Sequence, residues 1–386
     1  MTFDGMWADL AAVGRDPGTG GYRRFAWTRT DATLREWFAG EASARGLEVT
    51  PDRAANLWAW TGDPDAGPGL VLGSHLDSVP DGGAFDGPLG IVSAFAALDL
   101  LRGQGWSPRR PVGVACFADE EGARFGVACA GSRLLTGALD PTRARALTDD
   151  DGTTMAEAQS AAGHDAAALG RDDETLRRVG TFLELHVEQG RALDAPIGVA
   201  SSIWPHGRWR LDLRGRADHA GTTRLADRDD PMLALAAAIQ EARAAAERHG
   251  TVATVGKVQV RPNGVNAIPS SVSAWLDARG PLDDAVRAVV AEVGAASGVT
   301  PVEESWTAST DFDTALRDRL ATLLGAPVLP TGAGHDAGIL SAAGIPTAML
   351  FVRNPTGVSH SPAEHAEPAD CHAGVAALAA AIEALV

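Results

Sequence analysis

A chain of 386 residues carrying a formal charge of −17 exceeds what one hydrophobic core usually serves, so two domains are expected. The acidic balance excludes a phosphate backbone as partner, because nucleic-acid binding rests on clustered Lys and Arg. The single lysine, Lys257, lies in a strand-like segment and no G-x-x-x-x-G-K-[ST] run occurs, which excludes P-loop chemistry and disfavours a lysine Schiff base.

Three widely spaced cysteines, Cys116, Cys129 and Cys371, read as reduced packing residues and not as a disulfide framework. Residues 1–30 lack a basic stretch followed by an apolar one, and no run of about 18 apolar residues follows. The expectation is a cytoplasmic protein that does not contact membranes.

In chain order, the apolar runs LVLGSHLD (70–77) and PVGVACFADEEG (111–122) read as strands, with LGIVSAFAALDLLRG (89–103) as the helix between them. Such alternation predicts an α/β sheet with helical crossovers. Both runs end in His, Asp and Glu, and ligands of open α/β sheets collect beyond the carboxyl ends of strands. Residues 141–180 read as a helical or partly mobile excursion. From about residue 205 the pattern becomes strand, helix, two strands, helix and strand, an α+β unit of about a hundred residues. A helix over 310–325 and the strand IPTAMLFV (345–352) then resume the first pattern. The smaller unit is therefore inserted into the larger one, with a first domain over 1–204 plus 316–386 and a second over 205–315.

Five segments combine acids or histidines with glycine: GSHLDS (73–78), GGAFDGPLG (82–90), ADEEGARFG (118–126), ELHVEQG (184–190) and GVSHSPAEH (357–365). Taken singly, each suits an ordinary turn or a hydrogen-bonded core histidine. Together they supply a two-metal hydrolytic site, which needs neutral imidazoles, several carboxylates, one of them shared between ions about 3.5 to 4 Å apart, and a base for the attacking water. His75, His186 and His360 are the candidate imidazole ligands, Asp86 the bridge and Glu121 a terminal carboxylate. Glu120 would point to the other side of the chain and serve as general base. Asp77, two residues after His75, would orient that imidazole.

These segments, with DHAGTT, RPNGVNAIP, LDARG and GAGHDA, resemble the M20 family of zinc amidohydrolases and aminopeptidases. The resemblance is nearest to the branch of allantoate amidohydrolase, N-carbamoyl-L-amino-acid hydrolase and β-ureidopropionase, and the matches run from residue 73 to 364. It implies the same ligands, His75, Asp86, Glu121, His186 and His360, with Glu120 as base and a cis peptide after Asp86. It also implies a zinc-exopeptidase-like, mixed-sheet catalytic domain with helices on both faces, and an inserted α+β lid and dimerisation domain. Two divalent ions are implied, Zn²⁺ or Mn²⁺, with Co²⁺ and Ni²⁺ also suited. Gln189, His219, Asn266 and Arg279 would hold a small substrate bearing a carboxylate, and the chain would act as a homodimer.

An ordinary ion pair for Arg279, and loop caps for His219 and Asn266, stand as alternatives. His335 and Asp336 read as pocket residues without a role. Arg353 stands close to His360, and an extra arginine there would suit a second acidic group on the substrate. The expected reaction is hydrolysis of the C–N bond of a ureido compound with release of ammonia. The alternative is the same machinery acting on an N-formyl, N-formimidoyl or N-acetyl amino acid, or on a peptide.

Overall fold

The computed structural model describes residues 2–386, which divide into two compact units. One comprises the chain up to Ser201 together with Asp311–Val386; the other is Ser202–Thr310. The larger unit is built on a nine-stranded mixed sheet. Its centre consists of four parallel strands in the order Val112–Phe117, Gly69–His75, Val179–Val187 and Thr347–Val352. Leu57–Thr61 extends the sheet antiparallel on one side and Ile197–Ile203 on the other.

All four central strands read as unbroken apolar runs because both of their faces are covered. Leu70, Leu72, Val112, Val114, Leu183, Leu185, Val187, Ala348, Leu350 and Val352 join the core that also contains Pro88–Gly103 and Pro368–Leu385 residues such as Phe95, Leu98, Leu378 and Ile382. With a period of two, Phe182, Glu184 and His186 must point to the opposite face, as does His75 relative to Leu70 and Leu72. Two histidines from neighbouring parallel strands thus reach one side of the sheet near the carboxyl ends. The stretch 141–180 forms three short helices, Pro141–Ala146, Met155–Ala161 and Asp173–Arg178. Cys116, Cys129 and Cys371 are free and buried, and no helix among the described residues is long and apolar enough to cross a membrane.

The smaller unit is a four-stranded antiparallel sheet in the order Val302–Thr307, His206–Arg214, Ser271–Arg279 and Val252–Arg261. Strict alternation along His206–Arg214 and Ser271–Arg279 puts Trp209, Leu211, Leu213, Val272, Ala274, Leu276 and Ala278 against helices Pro231–His249 and Asp283–Ser297. His206, Arg208, Arg210, Asp277 and Arg279 line the other, helix-free face.

Candidate metal centre

His75 is the last residue of its strand, and its imidazole Nδ1 lies 3.1 Å from the carbonyl oxygen of Asp77. His186, one residue short of its strand end, places Nδ1 2.9 Å from the Val187 carbonyl. A carbonyl only accepts, so both rings carry the proton on Nδ1 and present an Nε2 lone pair. Each Nε2 is buried without a hydrogen-bond partner, and they stand 3.5 and 3.2 Å from the same oxygen, Oδ1 of Asp86. The other Asp86 oxygen lies 3.3 Å from Nε2 of His360, which is itself 3.6 Å from Oε2 of Glu121. One carboxylate therefore joins two ligand groups, His75–Asp86–His186 and Asp86–Glu121–His360, with the atoms of each group within 4.8 Å of one another. Nitrogens facing carboxylate oxygens are stable only with a positive charge between them, a proton or a metal ion, and nitrogen-plus-carboxylate donors suit divalent ions of the Zn²⁺ and Mn²⁺ kind. The residues fit a metal.

The two adjacent glutamates separate to different sides of this cluster. Glu120 puts Oε2 3.8 Å from His75 Nε2 and takes a weak hydrogen bond from the Cys129 thiol at 3.3 Å on Oε1. Glu121 accepts from the Val79 amide at 3.3 Å and faces His360. Asp77 sits between them and His75, its carboxylate accepting the Glu120 and Glu121 amides at 3.2 and 3.0 Å, with Oδ1 3.5 Å from His75 Nδ1. It steadies the ring chiefly through its main-chain carbonyl and steadies the glutamate pair through its side chain. Asp119, Cys129 and His360 all adopt φ between 54° and 55°. That region costs a non-glycine residue about 1–3 kcal/mol and concentrates at functional sites.

The electrostatics reflect the crowding of acids. Burial would lower the His75 pKa, but Glu120, Asp77 and Asp86 outweigh it and hold the ring well above its ordinary value. Burial also opposes ionisation of Asp86, yet its contacts with His186, His360 and His75 hold it well below the usual range. Glu120 is pushed well above its ordinary value by burial, with Asp336 and Glu121 adding to the effect against His75. Glu121 is pushed up to about 7 by burial and by Asp86. Bound cations invert this logic, because they favour the charged form of each carboxylate they face.

Gln189 donates through Nε2 to Asp86 Oδ2 at 2.8 Å and approaches Ser359 Oγ at 3.3 Å. His335 is buried with its ring 4.5 Å from that of His186, and Asp336 accepts the Ser132 hydroxyl at 2.5 Å. Two expectations are corrected. The Asp86–Gly87 peptide is not cis; Gly87 makes the turn instead, at φ 87° and ψ −60°, with the His75 ring so close that a Cβ there would lie 2.5 Å from it. Arg353 is not a free cation for a second acidic group, because it pairs with buried Asp370 at 2.9 Å and donates to the Asp194 carbonyl. Buried carboxylates need such partners more than a solvated ligand would.

In the smaller unit, His219 is exposed in a two-residue strand paired with Ala267–Ile268, and its Nδ1 accepts from the Gly221 amide at 2.9 Å. Asn266 flanks that ladder and accepts the Ala220 amide on its carbonyl. Arg279 forms a two-point ion pair with Asp277, at 2.7 and 3.0 Å. Sequence reasoning assigned no role to Glu364, Ser359 or Glu184, although each belongs to a quoted motif. Glu184 accepts the Ser74 hydroxyl at 3.1 Å and the Ala337 amide at 3.2 Å, tying together the segments that hold His75 and His335.

Residues 71–384 match the sequence model of peptidase family M20/M25/M40. An N-carbamoyl-L-amino acid amidohydrolase of Geobacillus stearothermophilus is 37% identical over 96% of this chain and 94% of its own length. The allantoate amidohydrolase of Escherichia coli is 32% identical over 96% and 94%. A solved hydantoinase/carbamoylase-family amidase from Burkholderia vietnamiensis superposes with a TM-score of 0.88 at 31% identity, covering 99% of this chain and 96% of that one.

Proposed function

The chain belongs to peptidase family M20/M25/M40, and from that premise we propose that it is a metal-dependent amidohydrolase that cleaves the C–N bond of a small ureido compound, allantoate or an N-carbamoyl-L-amino acid, and releases ammonia. The observation that carries this reading is Asp86, whose two oxygens face His75 and His186 on one side and His360 on the other. His75, Asp86, Glu121, His186 and His360 would hold two ions of the Zn²⁺ or Mn²⁺ kind, which when bound would supply Lewis acidity and lower the pKa of the attacking water.

The chain's own groups do the rest. Glu120 takes the proton of the attacking water and returns it to the leaving nitrogen. Asp77 fixes the backbone of both glutamates through their amides. Arg279 offers a planar fork to the substrate carboxylate, already oriented by Asp277, while Asn266 and His219 donate to the oxygen that becomes negative in the tetrahedral intermediate. Gln189, which donates to Asp86, has Oε1 without a hydrogen-bond partner for a substrate N–H. An N-carbamoyl amino acid would yield the amino acid, ammonia and carbon dioxide.

The smaller unit serves in this reading as lid and dimer contact. Its edge strand Val252–Arg261 is exposed along most of its length, and Leu225, Leu233 and Val265 stand out in solvent, features that a second copy of the chain would cover. The reading includes a cytoplasmic site of action.

The test is ammonia release from the metal-reconstituted protein against allantoate, N-carbamoyl-L-amino acids, N-carbamoyl-β-alanine and N-formimidoyl-L-glutamate, with amine release followed for N-formyl and N-acetyl amino acids. Turnover of a ureido compound that vanishes in Glu120→Gln is the expected result. Turnover confined to N-formyl, N-formimidoyl or N-acetyl compounds would overturn the ureido assignment and keep the mechanism.

A further inference from the structure

Resting on the assignment of Asp86 as a metal ligand, we propose that Glu364 is a positioning residue for the metal centre, whose carboxylate clamps the loop carrying Asp86 to the loop carrying His360. Its Oε2 accepts two consecutive backbone amides, Phe85 at 2.8 Å and Asp86 at 3.0 Å. Its Oε1 accepts the Ser359 hydroxyl at 3.2 Å, and that hydroxyl lies 3.4 Å from Asp86 Oδ2. Glu364 is 5% exposed.

The clamp answers a weakness of the loop it holds. Gly82, Gly83 and Gly87 surround Asp86, and glycine leaves a backbone its widest conformational freedom. A shared carboxylate must nevertheless be held within about 0.5 Å of its working position. Two amides accepted by one buried oxygen fix the Phe85–Asp86 peptide, and it is this acceptor geometry that holds the loop. Gly83 makes the approach possible: a Cβ there would lie 2.3 Å from Oε2 and 2.4 Å from Cβ of Glu364. The absence of a side chain at position 83 is therefore explained by the carboxylate that occupies its place. Ser359 extends the clamp to the neighbour of His360, so both sides of the centre are tied to one buried group.

The experiment titrates metal-free protein with Co²⁺, following the visible absorption of the bound ion and its affinity in competition with a chromophoric chelator. Glu364→Ala is expected to bind Co²⁺ about 10- to 100-fold more weakly, whereas Glu364→Gln, whose amide oxygen still accepts both backbone amides, stays within about threefold of the parent. Gly83→Ala displaces the carboxylate without removing its charge, and should weaken binding together with Glu364→Ala. Unchanged affinity in Glu364→Ala would overturn the proposal, and so would an equal loss in Glu364→Gln, which would assign the effect to charge. Should Glu364→Ala fail to fold by circular dichroism, normal affinity in Gly83→Ala overturns the clamp by itself. A parent protein that binds no Co²⁺ would instead sink the metal centre, a result distinct from any of these.

Discussion

Most candidates of the larger unit are buried, His360 being the exposed exception, whereas those of the smaller unit are exposed or half-buried. At the carboxyl ends of the larger unit's parallel strands, His75, Asp86, Glu120 and His186 are buried, and two of their imidazole nitrogens lack a hydrogen-bond partner. On the smaller unit, His219 is exposed with Nδ1 bonded inside its own turn, and Arg279 is already paired with Asp277. A buried group without a partner costs free energy that only a ligand recovers, whereas an exposed, paired group costs little and waits. The larger unit thus leaves buried nitrogens in want of a ligand, and in the proposed reading the smaller one offers groups that a substrate would draw away from local partners.

The largest expected effect tests the buried side. Glu120→Gln should lower kcat by about 10²- to 10⁴-fold, with metal content by atomic absorption unchanged, since the residue is proposed as the general base and not as a ligand. Loss of metal together with activity would remove the distinction between Glu120 and Glu121. Next comes the packing of the smaller unit: Leu276→Ala, at a fully buried position, should cost about 2–5 kcal/mol in urea unfolding while Co²⁺ affinity stays at the parent value. Coupled losses would show that the metal centre depends on that core.

Arg279→Lys sharpens the smaller unit's side. A point charge cannot reproduce a two-point fork, so KM should rise about 10-fold or more with a smaller change in kcat. An unchanged KM would leave Arg279 as the ion-pair partner of Asp277 and nothing more.

The smallest effect concerns pH. The Asp31 carboxyl is pushed up to about 6 by burial, against the attraction of Arg35. Its folded pKa lies above the unfolded value, so its contribution to stability is fully present below about pH 4 and is lost as pH rises through about 6. Replacing it by Asn should flatten the stability profile over that window, and identical profiles for the two proteins would remove Asp31 as a cause.

Much of the architecture was legible along the chain. The apolar runs at 70–77 and 111–122 were legible as strands of an α/β sheet with helical crossovers, and RWRLDL and SVSAWLDAR as strands of the inserted α+β unit. The candidate residues were legible because each motif places a polar group directly after an apolar run. Less legible was what each side chain would touch. The family resemblance implied a cis peptide after Asp86, but a glycine at φ 87° makes the turn with a trans bond. Arg353, adjacent in sequence to the His360 loop, is held by Asp370 from the helix Pro368–Leu385.

The sequence by itself determined the periodicities, hence the parallel core, the exposed and covered faces of the smaller sheet, and the chemical types gathered at strand ends. Those features are local, set by the alternation of side chains along a strand and by the conformations that glycine and proline permit. Only the tertiary structure decided that both Asp86 oxygens face imidazole nitrogens, that Asp77 serves the glutamates as much as the histidine, and that Glu364 grips a backbone 278 positions away. Such contacts join segments brought together by packing of the whole core, and no window of the chain encodes which of many compatible partners will meet.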